Sequence, residues 1–252
     1  MTTLIYDDTF PGLLSTVSHV YEYRLADVRI MPQSHAQQSL FGGHTVVETN
    51  NAMAERVWKG LAKHVSTTAR NDIYRTFLSE LPGMEEMLLR YIRHIFAHGD
   101  VSKDLTHPAV SFVTATTRKV HREKHRMEAF VRFRQTADDL YYATIEPDFN
   151  VLPLISDHFE KRYADQRWLI YDVRRNYGIY YDLQGVSTVE MDLSHLLATR
   201  HSADGVLAEK EQEYERLWQN YFRSVNIASR KNPRLHRQHM PLRYWKYLTE
   251  KH

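Results

Sequence analysis

The sequence contains no cysteine among its 252 residues. This absence excludes disulfides, thiolate zinc sites, cysteine nucleophiles and cysteine-held iron–sulfur clusters. No apolar run approaches the roughly 18 residues of a membrane span. The amino terminus, MTTLIYDDTF, lacks the basic start and apolar core of a secretory signal. From these absences we expect a cytoplasmic protein that does not enter membranes.

The motifs of common nucleotide-binding and hydrolytic enzymes are also missing. The sequence has no GxxxxGK[ST] loop, no GxGxxG and no GxSxG. FGGH at residues 41–44 is a two-glycine turn with little specificity. We therefore predict no cofactor.

Acidic residues are absent from a long carboxy-terminal stretch. Between Glu215 and Glu250 there are eight Arg or Lys residues and no Asp or Glu. A solvated helix face normally mixes both signs, because like charges at helical spacing repel. The formal net charge of the whole chain is only +2, so positive charge is segregated here. This basic stretch (residues 216–249) predicts a negatively charged partner, and the alternative is that it docks on the chain's own acidic surface.

A nucleic acid is one partner that could supply this negative charge. The basic side chains would bind phosphates, while Tyr244 or Trp245 would stack on an unpaired base. The candidate nucleic-acid-binding residues are Arg122, Arg126, Arg162, Arg230, Lys231, Arg234, Arg237, His239, Arg243, Tyr244 and Trp245.

HREKH places two histidines, His121 and His125, four residues apart on one helix face, as zinc helices do. The metalloprotease pattern requires Glu directly after the first His, whereas Glu123 comes one residue later. Four neighbouring Arg and Lys side chains would also repel a dication. We therefore predict no metal, and interpret this helix either as facing an anion or as a solvated basic face.

IEPDFN (residues 145–150) ends a predicted strand with Glu146 and Asp148. Residues two apart on a strand point to the same side, so these carboxylates could share acid–base work. With His125 as a third candidate, we predict catalytic residues at a pocket that Arg162 also borders. The structural alternatives are that Asp148 caps the following helix and that Glu146 forms a buried ion pair with Arg162.

Periodicity predicts an α+β protein with a mostly antiparallel sheet, packed helices, a helical segment in the middle and a basic carboxy-terminal tail. We divide this single unit into an α/β segment (1–50), a helical segment (51–128), two strand hairpins with a helix between them (129–188), and a helix with the basic tail (189–252). Trp168 and Tyr171, large aromatics on a strand, are predicted to lie in the core.

Several long motifs resemble one bacterial family, known as a probable DNA metabolism protein. The longest are YYATIEPDFNVLPLISDHFEKRYADQRWLIYDVRRNYGIYYD and SVNIASRKNPRLHRQHMPLRYWKYL, together with HREKHRMEAFVRF and FLSELPGMEEMLLRYI. Asp8 in YDDTFPGL stands where this family leads us to expect glycine. The resemblance implies a gene beside a radical-SAM protein that acts on DNA, and in some relatives a fusion to a uracil-DNA-glycosylase-like domain.

Three hypotheses follow. The first is a DNA-binding protein of repair or modification, an accessory to a radical-SAM enzyme or partner of a uracil-DNA-glycosylase-like protein. The second is a DNA-processing enzyme that flips a damaged base and uses Glu146 or Asp148. The third is an adaptor whose tail binds an acidic protein.

Overall fold

A computed structural model of the chain describes residues 2–36, 43–136, 139–190 and 240–248. The chain divides into two compact units, Met1–His121 and Arg122–His252. Most of the region predicted as a helix with the basic tail (189–252), including the densest part of the basic stretch, lies outside the described residues. Within the described ranges, no helix is both long and apolar enough to cross a membrane.

The first unit contains a small parallel sheet and most of the helices. Its strands are β1 (Thr2–Tyr6), β2 (Val28–Pro32) and β3 (His44–Val46), in the order β2-β1-β3 with both pairings parallel. Its helices are α1 (Phe10–Glu22), α2 (Asn51–Ala62), α3 (Thr67–Phe77) and α4 (Met84–His98). A fifth helix, α5 (Pro108–Phe130), crosses the boundary between the two units.

Local sequence signals explain where these helices begin and end. The Thr9 hydroxyl accepts a hydrogen bond from the Gly12 N–H at 3.0 Å and so caps α1. Leu13, Val17 and Val20 recur at helical spacing and are buried against β1. After α4, the chain turns at Gly99 with φ of 80°, a conformation that glycine adopts without steric cost.

The second unit is built on a five-stranded sheet. Its strands are β4 (Arg134–Gln135), β5 (Tyr141–Ile145), β6 (Trp168–Asp172), β7 (Tyr177–Tyr181) and β8 (Val186–Glu190), in sequence order across the sheet. β5 and β6 are parallel and are connected through α6 (Leu152–Arg162), whereas the other three pairings are antiparallel. A short 3-10 helix, Leu242–Tyr247, belongs to the same unit.

Alternating residues of the strands form the core of the second unit. Trp168 and Ile170 on β6 are fully buried, and Phe159 of α6 packs on Trp168 with ring centroids 6.2 Å apart. Tyr181, opposite Trp168 on β7, stacks on its ring with centroids 5.5 Å apart. Tyr171, which points to the opposite face of β6, is also buried. The predicted core positions of Trp168 and Tyr171 are confirmed.

The α+β class is confirmed, and the larger sheet is mostly antiparallel as predicted. Two details differ. The first strand hairpin was predicted to begin at residue 129, but α5 continues to Phe130 and β4 covers Arg134–Gln135. β8 was not predicted, because its Ser187 and Thr188 are exposed and give the segment little hydrophobic alternation.

Candidate functional site

The carboxyl ends of β5 and β6 bring acidic residues to one edge of the larger sheet. Ile145, the last residue of β5, lies opposite Asp172, the last residue of β6. Glu146 follows directly, so both carboxylates belong to the same edge. In open sheets with parallel strands, this edge is where ligand-binding groups usually converge.

Asp172 fixes the turn between β6 and β7. Its carboxylate is completely buried and accepts hydrogen bonds from the N–H groups of Arg174 at 2.9 Å and Arg175 at 3.3 Å. The Arg175 guanidinium lies 2.8 Å from the second carboxylate oxygen. Burial raises the pKa of Asp172, and Arg175 opposes this rise. Asp172 is therefore a structural residue of the site, closed to solvent.

The same arginine pair holds the loop that carries Asp148. Arg175 donates to the carbonyl oxygens of Pro147 at 3.1 Å and Asp148 at 3.3 Å, and Arg174 donates to that of Asp148 at 3.3 Å. On its other side, the Asp148 N–H donates to the Glu123 carboxylate at 2.9 Å. The backbone of this loop is thus fixed from both β6–β7 and α5.

Glu123 is a buried carboxylate on α5 with four donors around it. Its side chain is only 2% exposed. Besides the Asp148 N–H, it accepts from the Tyr244 hydroxyl, from Arg243 at 3.3 Å and from Arg126 at 3.5 Å. A buried charge is tolerated only when it is compensated in this way.

Residues 240–248, the C-terminal segment, pack onto this edge of the second unit. Tyr244 and Leu248 are buried, and Arg243 reaches Asp148 with Nη2 2.6 Å from Oδ2. The same Arg243 nitrogen donates to the Tyr244 hydroxyl at 2.5 Å. Burial and the contact with Glu123 raise the pKa of Tyr244. The segment is therefore held by one buried and one partly exposed carboxylate.

Glu146 is held by the far end of the same segment. Lys246 forms an ion pair with its carboxylate, and the Tyr247 hydroxyl donates to it at 2.6 Å. These two hydrogen bonds lower the pKa of Glu146 below its usual value, so it is ionised at neutral pH. The hollow beside it is apolar, has room for about one water molecule, and is lined by Met127, Phe130, Ile145, Glu146, Tyr244 and Tyr247.

The predicted catalytic residues are only partly brought together. Glu146 and Asp148 are joined through the C-terminal segment. The His125 side chain is 82% exposed, with Nδ1 3.7 Å from Glu128, and the Arg162 guanidinium lies over the Tyr163 ring. The ion pair of Glu146 is with Lys246, which corrects the predicted pair with Arg162. The N-cap of α6 is Val151 without a side-chain hydrogen bond, so the alternative that Asp148 caps this helix was wrong.

The predicted DNA-binding residues fall into three groups. Arg122 and Arg162 are exposed, whereas Arg126 and Arg243 contact Glu123. A base could stack on buried Tyr244 only if the C-terminal segment moved away, while Trp245 is partly exposed and donates its indole N–H to the Met240 carbonyl at 3.0 Å. The remaining candidates lie outside the described residues: Arg230, Lys231, Arg234, Arg237 and His239.

Sequence reasoning missed the residues that complete the site. Glu123 was considered only as a misplaced metalloprotease glutamate, yet it lies with buried Val120 and Met127 at helical spacing. A carboxylate on the apolar stripe of a helix is a signal for a buried, paired charge. Lys246 and Tyr247 gave no such signal. Within the described ranges, no group of three or more His, Asp or Glu side chains is arranged to hold a metal.

Comparison with known families identifies the family of the region that carries this site. A family model described as a domain of unknown function, DUF4130, matches residues 82–250, more than half of the chain. The chain belongs to this family. The DUF4130 region begins just before α4 and contains every residue of the site, from Glu123 to the C-terminal segment.

Two further comparisons add little beyond the DUF4130 family. A comparison with curated proteins finds no significant match. Among solved structures, the pGpG-specific phosphodiesterase PggH from Vibrio cholerae aligns with a TM-score of 0.37 and 11% identity, covering 78% of this chain and 95% of that chain. Neither the fold nor the function of the present chain is inferred from a likeness at this level.

Proposed function

We propose that the chain binds DNA through its basic stretch and serves in DNA repair or modification. The observation that carries this proposal is the charge distribution between Glu215 and Glu250, where eight cations stand without an acid. Two of them, Arg243 and Lys246, are paired with the chain's own Glu123, Asp148 and Glu146. Four of the six cations that precede them in the stretch are those that we assign to phosphates.

Affinity for DNA would come mainly from phosphate neutralisation. Each Arg or Lys that contacts a phosphate releases condensed counterions, so affinity falls as salt rises. We assign Arg230, Lys231, Arg234 and Arg237 to this role. The resemblance to a DNA metabolism family supports DNA as the polyanion, and it supports an accessory role beside a radical-SAM enzyme or a uracil-DNA-glycosylase-like protein.

Salt dependence of DNA binding tests the proposal. If about four phosphates are neutralised, log affinity against log salt has a slope of roughly −3.6 for duplex DNA and −2.8 for single strands. Replacing Arg234 and Arg237 with Ala should make the slope shallower by roughly one to two units. A flat response in the wild type would contradict DNA binding, and binding to an acidic protein instead would favour the adaptor hypothesis.

Arg243→Ala is the matched control within the same stretch. Because Arg243 is engaged by Glu123 and Asp148, we expect its removal to leave the salt slope within about half a unit of the wild type. Its effect should appear as a lower melting temperature. A slope change as large as that of Arg234→Ala would mean that Arg243 also reaches phosphate.

One observation favours a second, enzymatic function. Glu146 is an ionised, partly exposed carboxylate at the carboxyl end of a parallel strand. Such a group can stabilise positive charge that develops on a sugar or orient a water molecule. Glu146→Gln keeps the shape and removes the charge. Loss of turnover on lesion-containing DNA with normal folding and DNA binding would support catalysis, whereas activity that follows the folded fraction would contradict it.

A further inference from the structure

We propose that Glu123 is a positioning residue for DNA binding, because it fixes the C-terminal end of the basic stretch to the second unit. The inference rests on the proposed function above and adds a residue that touches no DNA. It predicts that binding depends on a buried carboxylate as well as on cations.

The contact between Glu123 and the C-terminal segment is specific. The Tyr244 hydroxyl donates to one oxygen of Glu123, and Arg243 donates to the other. Arg243 also donates to the Tyr244 hydroxyl, so the three groups form a continuous chain of hydrogen bonds. Tyr244 is 2% exposed, and Leu248 at the other end of the segment is fully buried. Two buried side chains, Tyr244 and Leu248, therefore anchor the segment.

Glu123 also has donors outside the C-terminal segment. Its carboxylate also accepts from the Asp148 N–H at 2.9 Å and from Arg126 at 3.5 Å, both within the second unit. Met127, one turn further along α5, is buried beside it. Glu123 is thus held by donors outside the C-terminal segment as well as by the segment itself.

Fixing one end of a binding segment strengthens its binding without new contacts. A free segment loses conformational freedom when its side chains settle on phosphates, and a segment already held at one end loses less. The number of phosphates neutralised stays the same. Loss of the Glu123 contact should therefore weaken DNA affinity while leaving its salt slope unchanged, unlike the loss of a cation.

Tyr244→Phe and Tyr181→Phe form a matched pair that tests this. Both tyrosines are buried in the second unit, and each substitution removes one hydroxyl. The Tyr244 hydroxyl donates to Glu123, and the Tyr181 hydroxyl donates to the Ala164 carbonyl at 3.3 Å. We expect Tyr244→Phe to bind a 20-nucleotide single strand roughly three- to tenfold more weakly than the wild type. Tyr181→Phe should bind as the wild type does. Glu123→Gln should act in the same direction as Tyr244→Phe, if it folds.

A spin label reports directly whether the segment stays docked. Because the chain has no cysteine, Leu242→Cys gives a single labelling site, and Leu242 is 56% exposed. We expect a restricted spectrum in the wild-type and Tyr181→Phe backgrounds and a more mobile one with Tyr244→Phe. A structural defect elsewhere in the unit would not produce this pattern.

The outcomes separate the two proposals. If the wild type binds DNA with the expected salt slope but Tyr244→Phe and Tyr181→Phe bind equally, the positioning role is overturned and DNA binding stands. A shallower slope for Tyr244→Phe overturns it too, because a phosphate contact would then have been lost. If the wild type shows no salt-dependent binding, both proposals fail, whatever the label reports about docking.

Discussion

Both units place carboxylates just beyond the carboxyl ends of parallel strands, but different donors hold these carboxylates in the two units. In the first unit, Asp7 follows β1, the central strand of the parallel sheet. It accepts hydrogen bonds from the hydroxyls of Thr9 and Thr49, each at 2.7 Å. In the second unit, Glu146, Asp148 and Asp172 are paired with cations. Neutral donors hold one edge, and Lys and Arg hold the other.

Asp8 extends the contrast. Its φ of 63° lies in the left-handed region, which explains why glycine was expected at this position. Aspartate is one of the few residues besides glycine and asparagine that adopt this conformation. Here the carboxylate accepts from the Ser34 N–H at 3.1 Å. As with Asp7, the donor is uncharged.

The difference shows how each edge should respond to perturbation. Hydroxyl and N–H donors are insensitive to salt, whereas the partly exposed pairs of Glu146 and Asp148 are screened by it. Buried Asp172 and Glu123 are less screened, but they leave an uncompensated charge when a partner is lost. The following substitutions test that contrast, from the largest expected effect to the smallest.

Arg175→Ala should have the largest effect on stability. It leaves the fully buried Asp172 carboxylate without its cation and removes the support of the Asp148 loop, so we expect unfolding to become easier by about 3–5 kcal/mol. Urea denaturation of the second unit measures this. Arg174→Ala is the control, because its exposed guanidinium donates to the Asp148 carbonyl and is not part of the Asp172 ion pair. Equal losses for the two variants would contradict the argument.

Gly12→Ala tests the neutral edge. A Cβ at this position would lie 2.0 Å from an Asp7 carboxylate oxygen that Thr9 and Thr49 hold in place. We expect destabilisation of about 1–3 kcal/mol by thermal or urea unfolding.

Gly60→Ala is the matched control for that substitution. It also lies in a helix, and its added Cβ would meet only Phe96 at an ordinary 3.5 Å. Helix propensity should then stabilise the protein by up to about 1 kcal/mol. The same sign for both variants would show that Asp7 moves freely.

Thr49→Val should cost about 1 kcal/mol, since it removes one hydroxyl donor from Asp7. Burial would raise the pKa of Asp7, but the hydrogen bonds from Thr49 and Thr9 hold it below the ordinary value. Because the pKa of Asp7 is lower in the folded state than in the unfolded state, its ionised carboxylate stabilises the fold fully at pH values above the unfolded-state pKa. This stabilisation is lost as the pH falls through the folded-state pKa. The difference between wild type and Thr49→Val should therefore be larger at pH 7 than at pH 3. High salt should leave it unchanged.

Glu146→Gln should have the smallest effect on stability. The pKa of Glu146 is lowered by Lys246 and Tyr247, so its stabilising contribution is present above pH 4.5 and disappears as pH falls through the folded value. Because the pair is partly exposed, we expect a small difference at pH 7 that shrinks in 1 M salt. A difference that persists in salt would place Glu146 in a drier environment.

Local signals predicted most elements and one half of the site. Strand and helix periodicity identified β1, β2, β3, β5, β6, β7 and every described α-helix, and IEPDFN indicated Glu146 and Asp148. Their partners were not predictable, because Lys246 lies 100 residues from Glu146 and Tyr244 lies 121 residues from Glu123. No local pattern encodes which distant segment returns to a sheet edge. The parallel pairing of β5 and β6 was hidden for the same reason.

The separation between Glu123 and Tyr244 has a consequence for synthesis of the protein. Chain elongation at about 5–20 residues per second places roughly 6–24 s between the two residues. During that interval the Glu123 carboxylate has the Asp148 N–H and Arg126 as donors within its own unit, but its tyrosine and second arginine have not yet been made. The neutral edge of the first unit is complete long before. Until Arg243 and Tyr244 have been made, the Glu123 carboxylate therefore lacks two of the four donors that surround it in the folded second unit.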